Sequence, residues 1–169
     1  MTIVVFFFML FSSTLAQVLI PPCALLAQAK APLLMGVVIY YAMAQRRGLM
    51  LLAAISAGLI QDALTLTPLG CSVMLFCAFG LLINRFRDGL FPPSVPTAAA
   101  TGLALGIVTT LAMYLMLRAG AVPLVLIPAG RAAWKAMGTG LLGLIVAPLI
   151  FLTAVKLEQL AGLRRQEAE

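Results

Sequence analysis

Charged residues along this chain fall, with few exceptions, in short breaks between long apolar runs, and the breaks set the elements. The first run, TIVVFFFMLFSSTLAQVLI at 2–20, is long enough to cross a bilayer as a helix. Pro21 and Pro22 end it, because proline cannot continue the hydrogen-bond ladder. The small residues of STLAQ offer the kind of site a signal peptidase cuts. No Lys or Arg precedes the apolar stretch, however, so the run is expected to be an uncleaved first helix. The second run, APLLMGVVIYYAMAQ at 31–45, is short and carries its proline where a helix start tolerates one. A third spans about 48–66, and the PLG of 68–70 predicts a turn. The fourth covers about 70–84 and stops at NRFRD, residues 84–88. A proline-rich linker, GLFPPSVP at 89–96, leads to a fifth run at about 97–117. The stretch AGAVPLVLIPAGR at 119–131 is apolar but broken by Pro123, Pro128 and two glycines, which predicts a loop at the membrane interface. The sixth run lies at about 133–155, and the tail KLEQLAGLRRQEAE at 156–169 is polar and helical at its start. No internal repeat stands out.

Composition turns this pattern into a class. Of 169 residues, 63% are hydrophobic and 9% charged, with a mean hydropathy of +1.14. Soluble domains are about one quarter charged, so the medium of this chain is lipid. The expected fold is all-α: a polytopic membrane protein, one domain, a compact bundle of about six transmembrane helices with a short polar tail from 156. The net charge of +6 falls in breaks between apolar runs and sets orientation rather than a nucleic-acid stripe. With the N-terminus inside, the cytoplasmic side holds Arg46, Arg47, Arg85, Arg87, Lys156, Arg164 and Arg165, and the outer side holds Lys30, Arg118, Arg131 and Lys135. That bias predicts both termini in the cytoplasm.

The residue that asks for an explanation is Asp62, an acid within apolar sequence. It lies about 21 Å along its helix from Gly48, towards the outer side of a hydrocarbon core about 30 Å thick. A carboxylate facing lipid there costs up to about 3 kcal/mol. Ala54, Gly58 and Asp62 recur every four residues and share one face, where small side chains admit a neighbouring backbone. Two readings are open for Asp62. It is a cap or interface residue where its helix ends, or a bundle-facing acid that fixes register or a contact site. On the second, Arg131 or Lys135, four apart at the start of the sixth run, is the expected ion-pair partner, with Gln61, Thr65 and Thr67 as nearby polar groups. Gly102 and Gly106, and Thr139, Gly140 and Gly143, form further small faces, expected to pack within the bundle rather than between copies. Trp134 and Tyr114 are expected to be interfacial anchors.

Catalysis finds little support. The chain has no histidine, so metalloprotease spacings are impossible. Asp62 and Asp88 should lie near opposite membrane faces, and no serine has a recognisable base. Cys23, Cys71 and Cys77 lack metal spacing and are expected to be small buried hydrophobes. No cofactor is expected.

The segment 46–88 resembles the rod shape-determining protein MreD family. The likeness rests on Gly58 and Asp62 followed by Pro68, Leu69 and Gly70, with the basic pair Arg46 and Arg47 before and Asn84 and Arg85 in NRFRD after. The resemblance implies a bacterial inner-membrane component of the cell-elongation complex without catalytic activity. It implies a fold similar to the S components of energy-coupling-factor transporters. Its implied partners are MreC, MreB filaments, RodA and a class B penicillin-binding transpeptidase, with membrane lipid around it. Candidate structural or partner-contact residues are then Ala54, Gly58, Asp62, Pro68, Gly70, Arg46, Arg47, Asn84, Arg85, Arg131 and Lys135. The shared fold leaves one alternative, a vitamin-binding S component, for which the outer side offers few convergent polar groups.

Overall fold

The computed structural model describes residues 2–20, 31–45, 47–65, 69–86, 94–119 and 129–160. Among these residues the secondary structure is entirely helical: α1 (Thr2–Leu19), α2 (Leu33–Ala44), α3 (Arg47–Thr65), α4 (Cys71–Phe86), α5 (Val95–Ala119) and α6 (Ala129–Leu160). Each helix occupies one of the apolar runs. α3, α5 and α6 are long and apolar enough to cross a membrane, whereas α1, α2 and α4 are shorter apolar helices. The protein is thus an all-α membrane bundle.

The sixth helix departs from its expected limits. It begins at Ala129 rather than 133, and it runs to Leu160 through the start of the tail, which was expected to be helical. The reason lies in its buried stripe. Ala147, Phe151, Ala154 and Glu158 follow one another at helical spacings of four, three and four, and all are buried. The bundle therefore continues for one more turn, and the tail's first acid points into it.

The core is built around α2. Its residues Leu34–Met43 are all buried, so the helix is apolar on every side, as befits a central element. α1, α3, α4, α5 and α6 all pack on it. Tyr41 meets Phe6 of α1 edge-on at 5.3 Å between ring centroids, and Tyr40 meets Phe151 of α6 at 5.5 Å. Gly36 faces Ile150 of α6, whose Cδ1 would lie 2.5 Å from a Cβ placed there. The outward surface is apolar too, with Phe7, Phe8 and Phe11 of α1 and Leu141, Ile145 and Leu149 of α6 exposed. In water such a surface would aggregate; against acyl chains it costs nothing.

Length creates a problem for α2. Its 12 residues extend about 18 Å, well short of a hydrocarbon core about 30 Å thick. Lipid supplies no hydrogen bonds, so the unpaired amides and carbonyls at both ends need partners from the protein.

Candidate functional site

Those partners are polar side chains from neighbouring helices, gathered at the two ends of the bundle. At one end, Gln17 of α1 is 5% exposed, and its Oε1 accepts from the Leu34 amide in the first turn of α2 at 3.2 Å. The same side chain donates through Nε2 to Gln61 Oε1 of α3 at 2.7 Å, tying α1 to α3.

Asp62, next to Gln61, performs the corresponding task for α4. It is 1% exposed. Its Oδ2 accepts from the Gly70 amide at 2.7 Å and its Oδ1 from the Ser72 amide at 3.0 Å. The first helical bond of α4 runs from the Met74 amide to the Gly70 carbonyl, so Gly70 is the cap residue and has no side chain to offer. The carboxylate of the preceding helix takes over the role that Ser, Thr, Asp or Asn plays locally elsewhere. Charge makes these bonds stronger than neutral ones, and the positive end of the α4 dipole adds to them.

Two glycines of the motif make this clamp possible. A Cβ on Gly58 would stand 2.6 Å from Val73 Cα and 2.8 Å from Val73 N, so only glycine lets the α4 backbone approach α3 this closely, one turn before Asp62. Gly70 has φ +105°, and a Cβ there would meet nothing within 4 Å, so its requirement is conformational rather than steric. Ala54, Gly58 and Asp62 are all buried on one face, as their spacing predicts.

The expected ion pair does not form. Arg131 and Lys135 lie in the first turns of α6 and are exposed, and neither pairs with Asp62. Helix α3 packs on α4, α2 and α1, which places the carboxylate against amides instead. Of the other expected neighbours, Gln61 bonds Gln17, and Thr65 Oγ1 donates to the Gln61 carbonyl of its own helix at 2.7 Å. Arg46, Thr67, Pro68 and Asp88 lie outside the described residues, as do Cys23 and the segment 120–128.

At the opposite end, Asn84 of α4 closes the far terminus of α2. Its Nδ2 donates to the Ala42 carbonyl at 3.0 Å and to the Gln45 carbonyl at 3.3 Å. Gln45 Nε2 donates in turn to Glu158 Oε1 of α6 at 3.0 Å, and Glu158 is 6% exposed. Among the described residues, the buried Tyr41 hydroxyl finds no hydrogen-bond partner, nor does the Ser72 hydroxyl beside the Asp62 clamp. Arg47 and Arg85 stand exposed at this same end. The residue pattern singled out Asn84 but not Gln17, Gln45 or Glu158. Gln17 lies three residues before the end of the first apolar run, Gln45 closes the second, and Glu158 continues the buried stripe of α6; those were the available signals.

The expected small faces meet inside the bundle. A Cβ on Gly102 would run into the Gly143 carbonyl, and one on Gly143 into the Gly102 carbonyl. One on Gly106 would lie 2.7 Å from the Thr139 carbonyl. The Thr110 and Thr139 hydroxyls hydrogen-bond across the same seam at 2.7 Å. Trp134 is exposed near the start of α6 and Tyr114 is half-buried towards the end of α5. Cys71 and Cys77 are free and half-buried. Among the described residues, no group of three or more His, Cys, Asp or Glu could hold a metal ion.

These observations define an all-helical membrane protein whose inward polar groups close helix ends on one another. The family model of the rod shape-determining protein MreD matches residues 1–156, and the chain belongs to that family. Membership supports a role in determining rod shape, in a family of structural rather than known enzymatic proteins. Neither the curated proteins nor the solved structures give a match.

Proposed function

We propose that the chain is a non-catalytic scaffold of the bacterial inner membrane, with its helices threaded through the bilayer and both termini in the cytoplasm. It binds the bitopic protein MreC. Through that contact it supports peptidoglycan synthesis by RodA and its class B penicillin-binding transpeptidase, alongside MreB filaments. The likeness to S components belongs to the same proposal.

The observation that carries this reading is the engagement of Asp62. The acid that could have served chemistry accepts two backbone amides and fixes α4 against α3. Gly58 and Gly70, the other described family-motif glycines, serve the same closure. A rigid hairpin with exposed apolar sides suits a docking surface for another membrane helix. No observation favours the vitamin-binding alternative.

Co-purification in mild detergent tests the proposal, with MreC produced beside the tagged chain. MreC is expected to be retained, and Asp62→Ala and Gly58→Leu are expected to lose both MreC and rod shape. Recovery of transporter ATPase subunits or a bound vitamin in place of MreC would overturn the reading.

A further inference from the structure

A groove of about 360 Å³ opens between α3 and α4 at the end opposite the Asp62 clamp, lined by Arg47, Ala78, Leu81, Leu82 and Arg85. We propose that this groove is a binding site for an anionic phospholipid, with Arg47 and Arg85 holding the headgroup phosphate and the leucines receiving an acyl chain. The proposal needs only the membrane class of the protein and stands apart from the scaffold reading.

Charge is the first reason. Both arginines are exposed and neither forms an ion pair with a described residue. Their guanidinium forks match phosphate oxygens geometrically as well as electrostatically. Helix direction is the second. α3 starts at Arg47 with no acid in its first turn, so the positive end of its dipole also faces this site. A Cβ on the adjacent Gly48 would find nothing within 4 Å, which leaves room for a bulky headgroup beside the helix start.

The third reason is the order of the groove along the membrane normal. Leu81 and Leu82 precede Arg85 by four and three residues and share its side of α4, one turn deeper in the bundle. They are 45% and 51% exposed. Positive charge at the helix ends above exposed leucines is the complement of a phospholipid, charged at the head and apolar below. Basic pockets between transmembrane helices hold lipid headgroups in this manner. A transmembrane helix of another protein would need an acid at that level to satisfy both guanidinium groups, a requirement that a phospholipid meets without further design.

Native mass spectrometry of the full chain, released from phosphatidylglycerol or phosphatidylcholine nanodiscs, tests the site. The wild-type chain is expected to retain phosphatidylglycerol about thirtyfold better, as two basic contacts imply, and to lose that preference as salt is raised. Arg47→Gln/Arg85→Gln abolishes the preference, whereas Arg131→Gln/Lys135→Gln, which removes the same charge at the other end, leaves it intact. Equal retention of the two lipids overturns the proposal, as does an equal loss in both double variants. A photo-crosslinker at position 82 that captures a polypeptide rather than lipid overturns it as well. So does stabilisation of the detergent-solubilised chain by inorganic phosphate as large as that given by phosphatidylglycerol. If the arginine variants fail to fold, the crosslinker at position 82 in the otherwise wild-type chain still decides: capture of phosphatidylglycerol there supports the groove, and failure to capture it overturns the proposal.

Discussion

The α3–α4 and α5–α6 pairs are both antiparallel hairpins that meet through glycine, yet they are held in different ways. In α3–α4 one glycine contact, Gly58 on Val73, is followed by a carboxylate that grips the amides of Gly70 and Ser72. In α5–α6 the backbones of Gly102 and Gly143 press on each other, Gly106 rests against Thr139 and Gly140, and a hydroxyl pair adds one bond. Helix length explains the contrast. α5 and α6, with 25 and 32 residues, extend about 38 and 48 Å and outrun a hydrocarbon core about 30 Å thick. Their ends can reach water or headgroups, and packing alone suffices. α4, with 16 residues, extends about 24 Å, and α2 about 18 Å. Their termini need protein partners, which is where Asp62, Gln17 and Asn84 act.

The comparison can be broken most forcefully at the glycine seam. Gly102→Leu places a branched side chain where the Gly143 carbonyl lies, and is expected to cost about 3 kcal/mol, at the upper end of overpacking. The readout is thermal unfolding in detergent. A shift smaller than that of the cap variants below would mean that α5–α6 is not held by close packing.

Asp62→Ala leaves one buried and one part-buried amide without their acceptor and is expected to cost about 2 kcal/mol. Asp62→Asn keeps one acceptor oxygen and should lose about half of that. A double-mutant cycle with Gly58→Ala sharpens the result. Because the Gly58 approach brings the amides to Asp62, the two losses should combine to less than their sum. Additive losses would separate the glycine from the clamp.

Asn84→Ala removes donors from the carbonyls of Ala42 and Gln45 and should cost about 1 kcal/mol in the same assay. No loss would mean that the far end of α2 is closed in another way. The smallest effect is expected from Arg131→Gln/Lys135→Gln, below about 0.5 kcal/mol, as for other exposed positions. A loss equal to that of Asp62→Ala would restore the ion pair that the fold denies.

The Ala54, Gly58 and Asp62 face was legible because spacing along one helix is a local property, and its burial follows wherever the helix packs. The partner of Asp62 was not legible. A carboxylate near the end of a membrane helix invites pairing with the nearest outer cations, and nothing local indicates that the next helix starts without a capping side chain within its reach. Glu158 was passed over for a related reason. A charged tail reads as solvated, and only the packing of α6 turns the fourth residue of its stripe inward.

By itself the chain determined its medium, its helical class, the places where helices begin and end to within a few residues, and the small-residue faces. All of these depend on hydropathy and spacing over a single turn or a single run. The tertiary structure alone decided which polar group meets which helix end, because those bonds join residues from eight to more than a hundred positions apart. Short helices in lipid must find such partners, and only the assembled bundle brings them within reach.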